Sequence, residues 1–437
     1  METNHLEKKD SSQIQLFQEK ELSILLTYLQ NNSSYYQRLF KQHSVDISSV
    51  KTLDDLSKIP LTTKKELQIY NNDFLCVQPR KIIDYVNTSG TMGTPVNIAL
   101  TDADLERLAY NEYLSMSIAG ITQDDIIQLT TTIDKRFMAG IAYFLGARKM
   151  GAGIIRSGVG IPQMQWNNIL TLNPTVLIGV PSFLLKMIEY AEQNHIDFRK
   201  SSINKLICIG ENIRDIDFNL NNLGKRIQDK WNNVTIYSSY ASTEMGAAFT
   251  ECEHGRGGHY HPELLIIEIL DENDVPVPDG KPGELTITTL GVEAMPLLRF
   301  KTGDICVKHT QQCKCGRHTA RISPILGRKN QMLKLKGTTV YPQCIYETLN
   351  GMDSIQNYVL EVSTSEQETD DLLIYIGVND FSELNYRFVK ESLKSKLRVT
   401  PNITFRTSAE IHTMQFSENL RKPIIFIDKR ISMLTVN

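Results

Sequence analysis

The sequence predicts an α/β fold: a large N-terminal α/β domain with parallel-rich sheets plus a β-rich subdomain, followed by a small C-terminal α+β domain. Three observations predict it. Strand-like and helix-like runs alternate between Thr175 and Tyr237. Paired strand signals separated by turn residues follow Glu263. A third pattern, of mixed helices and strands, begins after Gly327. Alternation of the first kind builds parallel sheet covered by helices, whereas strands joined by Gly, Pro, Asp and Asn build hairpins. The chain of 437 residues also exceeds one ordinary core, since domains average roughly 100–200 residues.

The N-terminal part reads as helical. From Glu19 the run ELSILLTYLQ carries apolar residues at helical spacing, and Asn31-Asn32-Ser33-Ser34 breaks it. In LDDLSKIPLTTKKELQ (Leu53 to Gln68), Pro60 separates two short helical patterns. Ile82 to Val86 is strand-like. Thr175 to Gly179 reads as a buried strand, and Pro181 opens a helix whose Leu184, Met187, Ile188 and Ala191 share one face. Leu206–Gly210 and Val234–Tyr237 repeat the strand signal. LLIIEILDENDVPVPDGKPGELTITTL, after Glu263, has hairpin character. In the last part, helices are expected near Pro342–Leu349 and Glu383–Leu397, with strands near Tyr358–Val362, Leu372–Val378 and Ile403–Arg406. Asp380 and Glu383 are spaced as a capping box. The expected domains are residues 1–327 and 328–437.

Composition narrows the function. Net charge is −3, with 47 basic and 50 acidic side chains, so neutralising the phosphates of a nucleic acid is not the expected task. No run of about 18 apolar residues marks a membrane span, and Met1 to Lys20 lacks the apolar core of a signal peptide. The expected compartment is the cytoplasm, with no membrane and no nucleic-acid partner. Seven cysteines without framework spacing fit reduced thiols or a metal site.

Four stretches have the residue types of a nucleotide site. Asn87-Thr88-Ser89-Gly90-Thr91-Met92-Gly93-Thr94-Pro95 follows a strand, and its glycines and hydroxyls could wrap phosphates. It lacks the Gly-Lys-Ser/Thr of a Walker A loop, and by itself it also reads as a plain turn. Tyr240-Ala241-Ser242-Thr243-Glu244 offers a ring for stacking and a carboxylate for Mg²⁺, or is a strand-end loop. In Arg299-Phe300-Lys301-Thr302-Gly303-Asp304, the carboxylate could accept two ribose hydroxyls, or could end a tight turn. Lys422 could steady a carboxylate meeting a phosphate, or could be a solvated surface lysine.

In this order the stretches resemble the adenylate-forming superfamily, and specifically the phenylacetate–coenzyme A ligase family. The likeness runs over nearly the whole chain. It includes Tyr35-Tyr36, LDDLSKIPLTTKKEL, the TSGTMGTP loop, GVPS (Gly179 to Ser182), GEN (Gly210 to Asn212) and YASTE. GELTITTLGVEAMPLLRFKTGD, CKCGR (Cys313 to Arg317), GRKNQMLKLKGTTVYP (Gly327 to Pro342) and RKPIIFIDKR complete it. The resemblance implies an ATP-dependent carboxylate–CoA ligase that forms an acyl-adenylate, then an acyl-CoA, releasing AMP and pyrophosphate. Its expected small-molecule partners are a carboxylic acid of the phenylacetate kind, ATP and CoA, and a homodimer is the family-level expectation. A related enzyme loading a carrier-protein thiol, or a non-catalytic nucleotide-binding homologue, are the alternatives.

Carried over by motif, Thr88, Ser89, Gly90, Thr91 and Gly93 would cradle phosphates, and Glu211 would line the site. Tyr240, with Ala241, Ser242 and Thr243, would lie against adenine, and Glu244 would bind Mg²⁺. Asp304 would hold the ribose, with Arg328 at the domain junction. Lys422, on a mobile C-terminal domain, would stabilise the α-phosphate in the first step, and Gly337 would accompany the thiol in the second. Met92, Asn330-Gln331 and Glu211-Asn212 depart from the usual pattern, the second at the hinge and the third beside the acyl pocket. Cys252, His259, Cys313 and Cys315 form the expected structural Zn²⁺ set, with His254 the second choice of histidine. Cys76, Cys208, Cys306 and Cys344 read as core or stray cysteines.

Overall fold

Asp10 starts the first helix by accepting a hydrogen bond from Gln13 N, so α1 (Ser11–Asn32) begins well before the expected Glu19. The structure is a computed structural model that describes residues 6–88, 96–335, 338–364, 370–416 and 423–430. Two compact units divide the chain: Met1–Leu220 with Gly224–Ile325, and Leu326–Asn437 with Asn221–Leu223.

In the first unit α1 is followed by α2 (Ser34–Gln42) and α3 (Lys64–Ile69). Tyr35 and Tyr36 are buried anchors. Tyr35 stacks on Phe74 at 4.0 Å between centroids, and the Tyr36 hydroxyl accepts from Leu298 N at 2.8 Å. α3 has a reciprocal capping box between Thr63 and Glu66. The strands β1 (Ile82–Asn87) and β2 (Asn97–Thr101) pair antiparallel and lead into α4 (Asp102–Ile118).

Strand–helix alternation follows: β3 (Ile126–Leu129), α5 (Met138–Met150), β4 (Gly153–Arg156), α6 (Pro162–Leu172), β5 (Val176–Gly179), α7 (Pro181–Gln193) and β6 (Lys205–Ile209). α8 (Asn222–Lys230) and β7 (Thr235–Ser242) close this half. Strands in the order β4-β3-β5-β6-β7 are all parallel. At β7 the chain reverses into β8 (Ala247–Thr250), and the pairings along the strand order from there to the far edge are antiparallel. β9 (Gly258–His259), β10 (Leu265–Leu270), β11 (Pro282–Thr289), β12 (Phe300–His309) and β13 (Arg321–Ile322) extend the sheet in the order β8-β9-β13-β12-β11-β10. The expected hairpin after Glu263 is β10 with β11, in register from Leu265↔Thr289 to Leu270↔Glu284.

Buried Arg107 on α4 ties this region together. Its guanidinium donates to the carbonyls of Leu290 at 2.7 Å, Gly246 at 2.8 Å and Leu264 at 2.7 Å. Three buried backbone carbonyls from separate segments are thereby held by one side chain.

The second unit contains β14 (Gly327–Arg328), the antiparallel pair β15 (Leu333–Leu335) and β16 (Thr338–Val340), and α9 (Pro342–Asn350). β17 (Ile355–Thr364), β18 (Asp370–Val378), α10 (Glu383–Leu397), β19 (Asn402–Arg406), α11 (Ser408–Gln415) and β20 (Phe426–Asp428) follow. Its sheet runs β19-β18-β17-β20, with Ile345, Leu360, Ile374, Ile376, Val389 and Leu393 in the core. The α10 cap differs from expectation: Ser382 accepts from Asn385 N, while Asp380 accepts from Ser382 N and Oγ at 2.9 Å each. Ser382 sits one residue before the helix, where its short hydroxyl reaches the orphan amide; Asp380 is too far upstream and orients the serine instead. No helix among the described residues is long and apolar enough to cross a membrane.

Candidate functional site

The open parallel half of the first unit places its crevice beyond the carboxyl ends of β5, β6 and β7, where such sheets hold ligands. Tyr240 lies on β7, and its hydroxyl donates to Asp304 Oδ2 at 2.6 Å. The two residues come from strands β7 and β12, far apart in sequence. Asp304 is aimed by a bulge: β11 pairs Glu284 with Ile305 and Thr286 with Lys301, so the Thr302-Gly303-Asp304 turn is thrown out of the ladder. Gly303 takes a left-handed φ of +80°, which favours glycine. The Thr302 hydroxyl pins the turn, donating to Leu285 O at 2.7 Å and accepting from Asp304 N at 3.1 Å. Just upstream, Arg299 donates bidentately to Glu268 at 3.0 and 2.8 Å and to Ile59 O at 2.6 Å.

Ala241 and Ser242 pair with Ala248 and Ala247, so Thr243 and Glu244 occupy the β7–β8 hairpin turn. Glu244 forms an ion pair with Lys64 at 3.0 Å. Lys64 was given no role by sequence reasoning. It is the first residue of α3, and the segment before it is sewn to β12: Thr62 N donates to Arg299 O at 3.0 Å and Lys301 N to Thr62 O at 2.9 Å. The Thr63–Glu66 capping box was the sequence signal that could have placed Lys64 at a helix start.

Thr88 is buried at the end of β1. Its backbone N donates to Val96 O at 3.0 Å, and its hydroxyl accepts from Val96 N at 3.1 Å. Ser89, Gly90, Thr91 and Gly93 lie outside the described residues, as do Gly337 and Lys422. Glu211 accepts from Ser182 N and Oγ at 2.9 Å each, which joins the GEN and GVPS motifs and caps α7. Asn212 donates to Ile325 O at 2.8 Å. Arg328 belongs to the second unit, on β14.

A second cluster lies between the β8–β9 connection and the loop after β12. The ligand atoms of Cys252, His259, Cys313 and Cys315 all fall within 4.8 Å of one another. Cys252 Sγ and Cys313 Sγ are 3.6 Å apart, and Cys315 Sγ is 3.5 Å from His259 Nε2. Tetrahedral zinc with bonds of roughly 2.0–2.3 Å sets its ligands about 3.5–3.8 Å apart, so the donor set and spacing fit that ion. His259 Nδ1 is bonded to Thr319 Oγ1 at 2.9 Å, which orients Nε2 toward the sulfurs. His254 instead approaches Glu253 at 3.6 Å and is outside the cluster. Cys76, Cys208 and Cys306 are buried and Cys344 is half-buried.

The N-terminal segment docks on the same loop. Buried Glu7 meets His261 Nδ1 at 3.0 Å and Arg317 Nε at 2.5 Å, and His318 N donates to Glu7 O at 2.8 Å. Burial alone would raise the Glu7 carboxyl, but the hydrogen bonds and positive charges of His261 and Arg317 outweigh it and hold it at about 2.

A family model described as AMP-binding enzyme matches residues 16–294, well over half of the chain. The chain belongs to the AMP-binding enzyme family. This AMP-binding enzyme is 27% identical over 395 residues to a phenylacetate-coenzyme A ligase of Thermus thermophilus, covering 89% of this chain and 87% of that protein. It is 27% identical over 370 residues to the phenylacetate-coenzyme A ligase of Escherichia coli (strain K12), covering 82% and 81%. The fold matches the crystal structure of 2-hydroxyisobutyryl-CoA ligase in the postadenylation state with R3-HIB-AMP. That match has a TM-score of 0.84 at 20% identity, over 98% of this chain and 92% of that one.

Glu7 yields a pH prediction. Its folded pKa lies below the ordinary 4.5, so its ion pairs stabilise fully above that pH and are lost as pH falls toward 2. Glu7→Gln is therefore expected to be less stable than the parent by about 2–3 kcal/mol near neutral pH, with the gap closing as pH falls. Denaturation midpoints across that range read the gap; a difference independent of pH would contradict the assignment.

Proposed function

We propose that this AMP-binding enzyme joins ATP to an organic acid as an acyl-adenylate, then passes the acyl group to the thiol of CoA, releasing AMP and pyrophosphate. The observation that carries the reading is the Tyr240–Asp304 hydrogen bond at 2.6 Å, beside the hairpin that presents Glu244. It brings a ring for adenine and a carboxylate for ribose hydroxyls to one place. Membership in the family, and relatives named phenylacetate-coenzyme A ligase, support the same chemistry.

In this reading Thr88, Ser89, Gly90, Thr91 and Gly93 hold the phosphates. Mg²⁺, when bound at Glu244, would offset phosphate charge. Lys64 holds the Glu244 carboxylate while nucleotide is absent, and its partly exposed ammonium can turn to the β- and γ-phosphates when they arrive. Residues 328–437 act as the mobile domain that brings Lys422 to the α-phosphate, with Arg328 at the junction, and then the Gly337 loop to the thiol. In-line attack needs little covalent help from the protein, so positioning and charge stabilisation supply the rate. The acid pocket lies among β5, the Glu211 turn and Tyr237–Ala241, and an aryl-acetate is the reference substrate because of the named relatives. Zn²⁺ at Cys252, His259, Cys313 and Cys315 would tie two loops together and take no part in the reaction.

The first test separates the half-reactions. Lys422→Ala should lower acid-dependent pyrophosphate release by about 10²-fold or more yet spare thiolysis of preformed acyl-adenylate. Equal losses in both would remove Lys422 from this role. The second test concerns the metal. Purified protein should carry zinc near one per chain, and Cys313→Ser should lose it together with several degrees of thermal midpoint. A metal-free protein whose midpoint zinc does not raise would remove the site.

A further inference from the structure

A buried polar cluster that the nucleotide chemistry does not use lies beneath the carboxyl ends of the parallel strands. Glu112 sits on the inner face of α4 and is only 5% exposed. α5 crosses it closely: a Cβ at Gly146 would fall 2.3 Å from Glu112 Cβ. Asn111 Nδ2 donates to Glu112 Oε1 at 3.1 Å, and Asn111 Oδ1 accepts from Ala248 N at 3.0 Å, so the carboxyl is held from the β8 side. Tyr143 lies one turn before Gly146 on α5. Its ring packs in the cluster of Ile178, Ile207, Ile209 and Tyr237. Its phenol lies near the Ser239 side chain and near Glu112. Ser239 in turn bonds Thr250 Oγ1 at 2.8 Å.

Two features set this cluster apart from ordinary packing. Leu and Phe would fill the same volume without the cost of desolvating a carboxyl and a phenol. Burial pushes the Glu112 carboxyl up to about 8, against the hydrogen bond from neutral Asn111, so at neutral pH it can both donate and accept. Ser239 is also the middle of Tyr237–Ala241, the strand segment that walls the acid pocket. At the end of β3 the Thr131 hydroxyl is buried without a hydrogen-bond partner among the described residues, a further polar group at the same edge of the sheet.

We propose that Tyr143 and Glu112 form a polar floor to the acid pocket and select a carboxylic acid carrying a hydroxyl group at the end remote from its carboxylate. This rests on the ligase reading above. A neutral carboxyl and a phenol can both give and take a hydrogen bond with such a hydroxyl, whereas an acid ending in hydrocarbon offers them none. A site built to bond a hydroxyl rejects the analogue that lacks it more strongly than an apolar pocket rejects an added one. Tyr143 and Glu112 are positioned to act on specificity, since neither lies beside the reacting carboxylate.

The test uses the full-length enzyme and two matched pairs of acids: phenylacetate with 4-hydroxyphenylacetate, and butyrate with 4-hydroxybutyrate. Pyrophosphate release gives kcat and KM for each. In at least one pair the hydroxylated acid should have a kcat/KM higher by about tenfold or more, the worth of one well-made hydrogen bond. Tyr143→Phe keeps the volume and should erase most of that preference, raising KM for the hydroxylated acid far more than for its unsubstituted partner. Glu112→Gln retains a donor and an acceptor and should keep the preference, whereas Glu112→Leu should lose it. Preference for the unsubstituted acid in both pairs, or equal losses on both acids in Tyr143→Phe, would overturn the polar floor while leaving the ligase intact. Absence of pyrophosphate release with every acid would overturn the ligase reading and this inference with it.

Discussion

The hydrogen bond from Tyr240 to Asp304 joins the two halves of the large sheet at the point where its direction changes. β7 is the last parallel strand, and β12 belongs to the antiparallel half. Three conditions must hold for the two side chains to meet. β8, β9 and β13 must continue the sheet without a gap. The bulge opposite Glu284–Thr286 must throw Asp304 out of the β12 ladder. Arg107 must hold the hairpin turn after Glu244, the start of β10 and the end of β11 by their carbonyls. Each of these is a backbone constraint, and each uses a buried polar contact to hold position where apolar packing alone would leave the turn free to slide.

The charges around this point are arranged for exchange. Glu244 is nearly buried and paired with Lys64, whose own side chain is 41% exposed. An ion pair with one member so open to water contributes little to stability, so it would be easy to give up to the phosphates and cation of the proposed function. Arg299 and Glu268 differ: both are largely buried and joined by two hydrogen bonds, so they form a fixed strut under the turn that carries Asp304. The Cys and His cluster and the Glu7–Arg317 contact bind loops and the N-terminal segment to the antiparallel half, at a distance in sequence from either role.

Much of this could be read from the sequence, and the reasons are local. Strands such as Val176–Gly179 are short, continuous apolar runs, and α7 follows a proline that cannot continue a strand, so both elements announce themselves. α10 keeps a strict apolar face through Val389, Leu393 and Leu397. Its cap was misplaced because Asp380 and Ser382 are both good capping residues and only the backbone shows which one reaches Asn385 N. The start of α1 was missed because the first turns carry few apolar residues, and their stability comes from the Asp10 cap. At the site, Tyr240, Glu244 and Asp304 could be named from motif order, but their meeting depends on sheet topology. Arg107 and Glu112 carried no readable signal, and the Thr63–Glu66 box places Lys64 only at a helix start, since charged residues on helices look solvated until tertiary packing surrounds them.

The central claim is that Tyr240 and Asp304 together receive the nucleoside. It is tested most directly by calorimetric measurement of ATP binding, in the presence of Mg²⁺, to the parent enzyme and to Asp304→Ala. The account predicts that affinity falls by about tenfold or more, the loss expected when hydrogen bonds to a charged acceptor are removed. Unchanged affinity in a variant that keeps its thermal stability would contradict it.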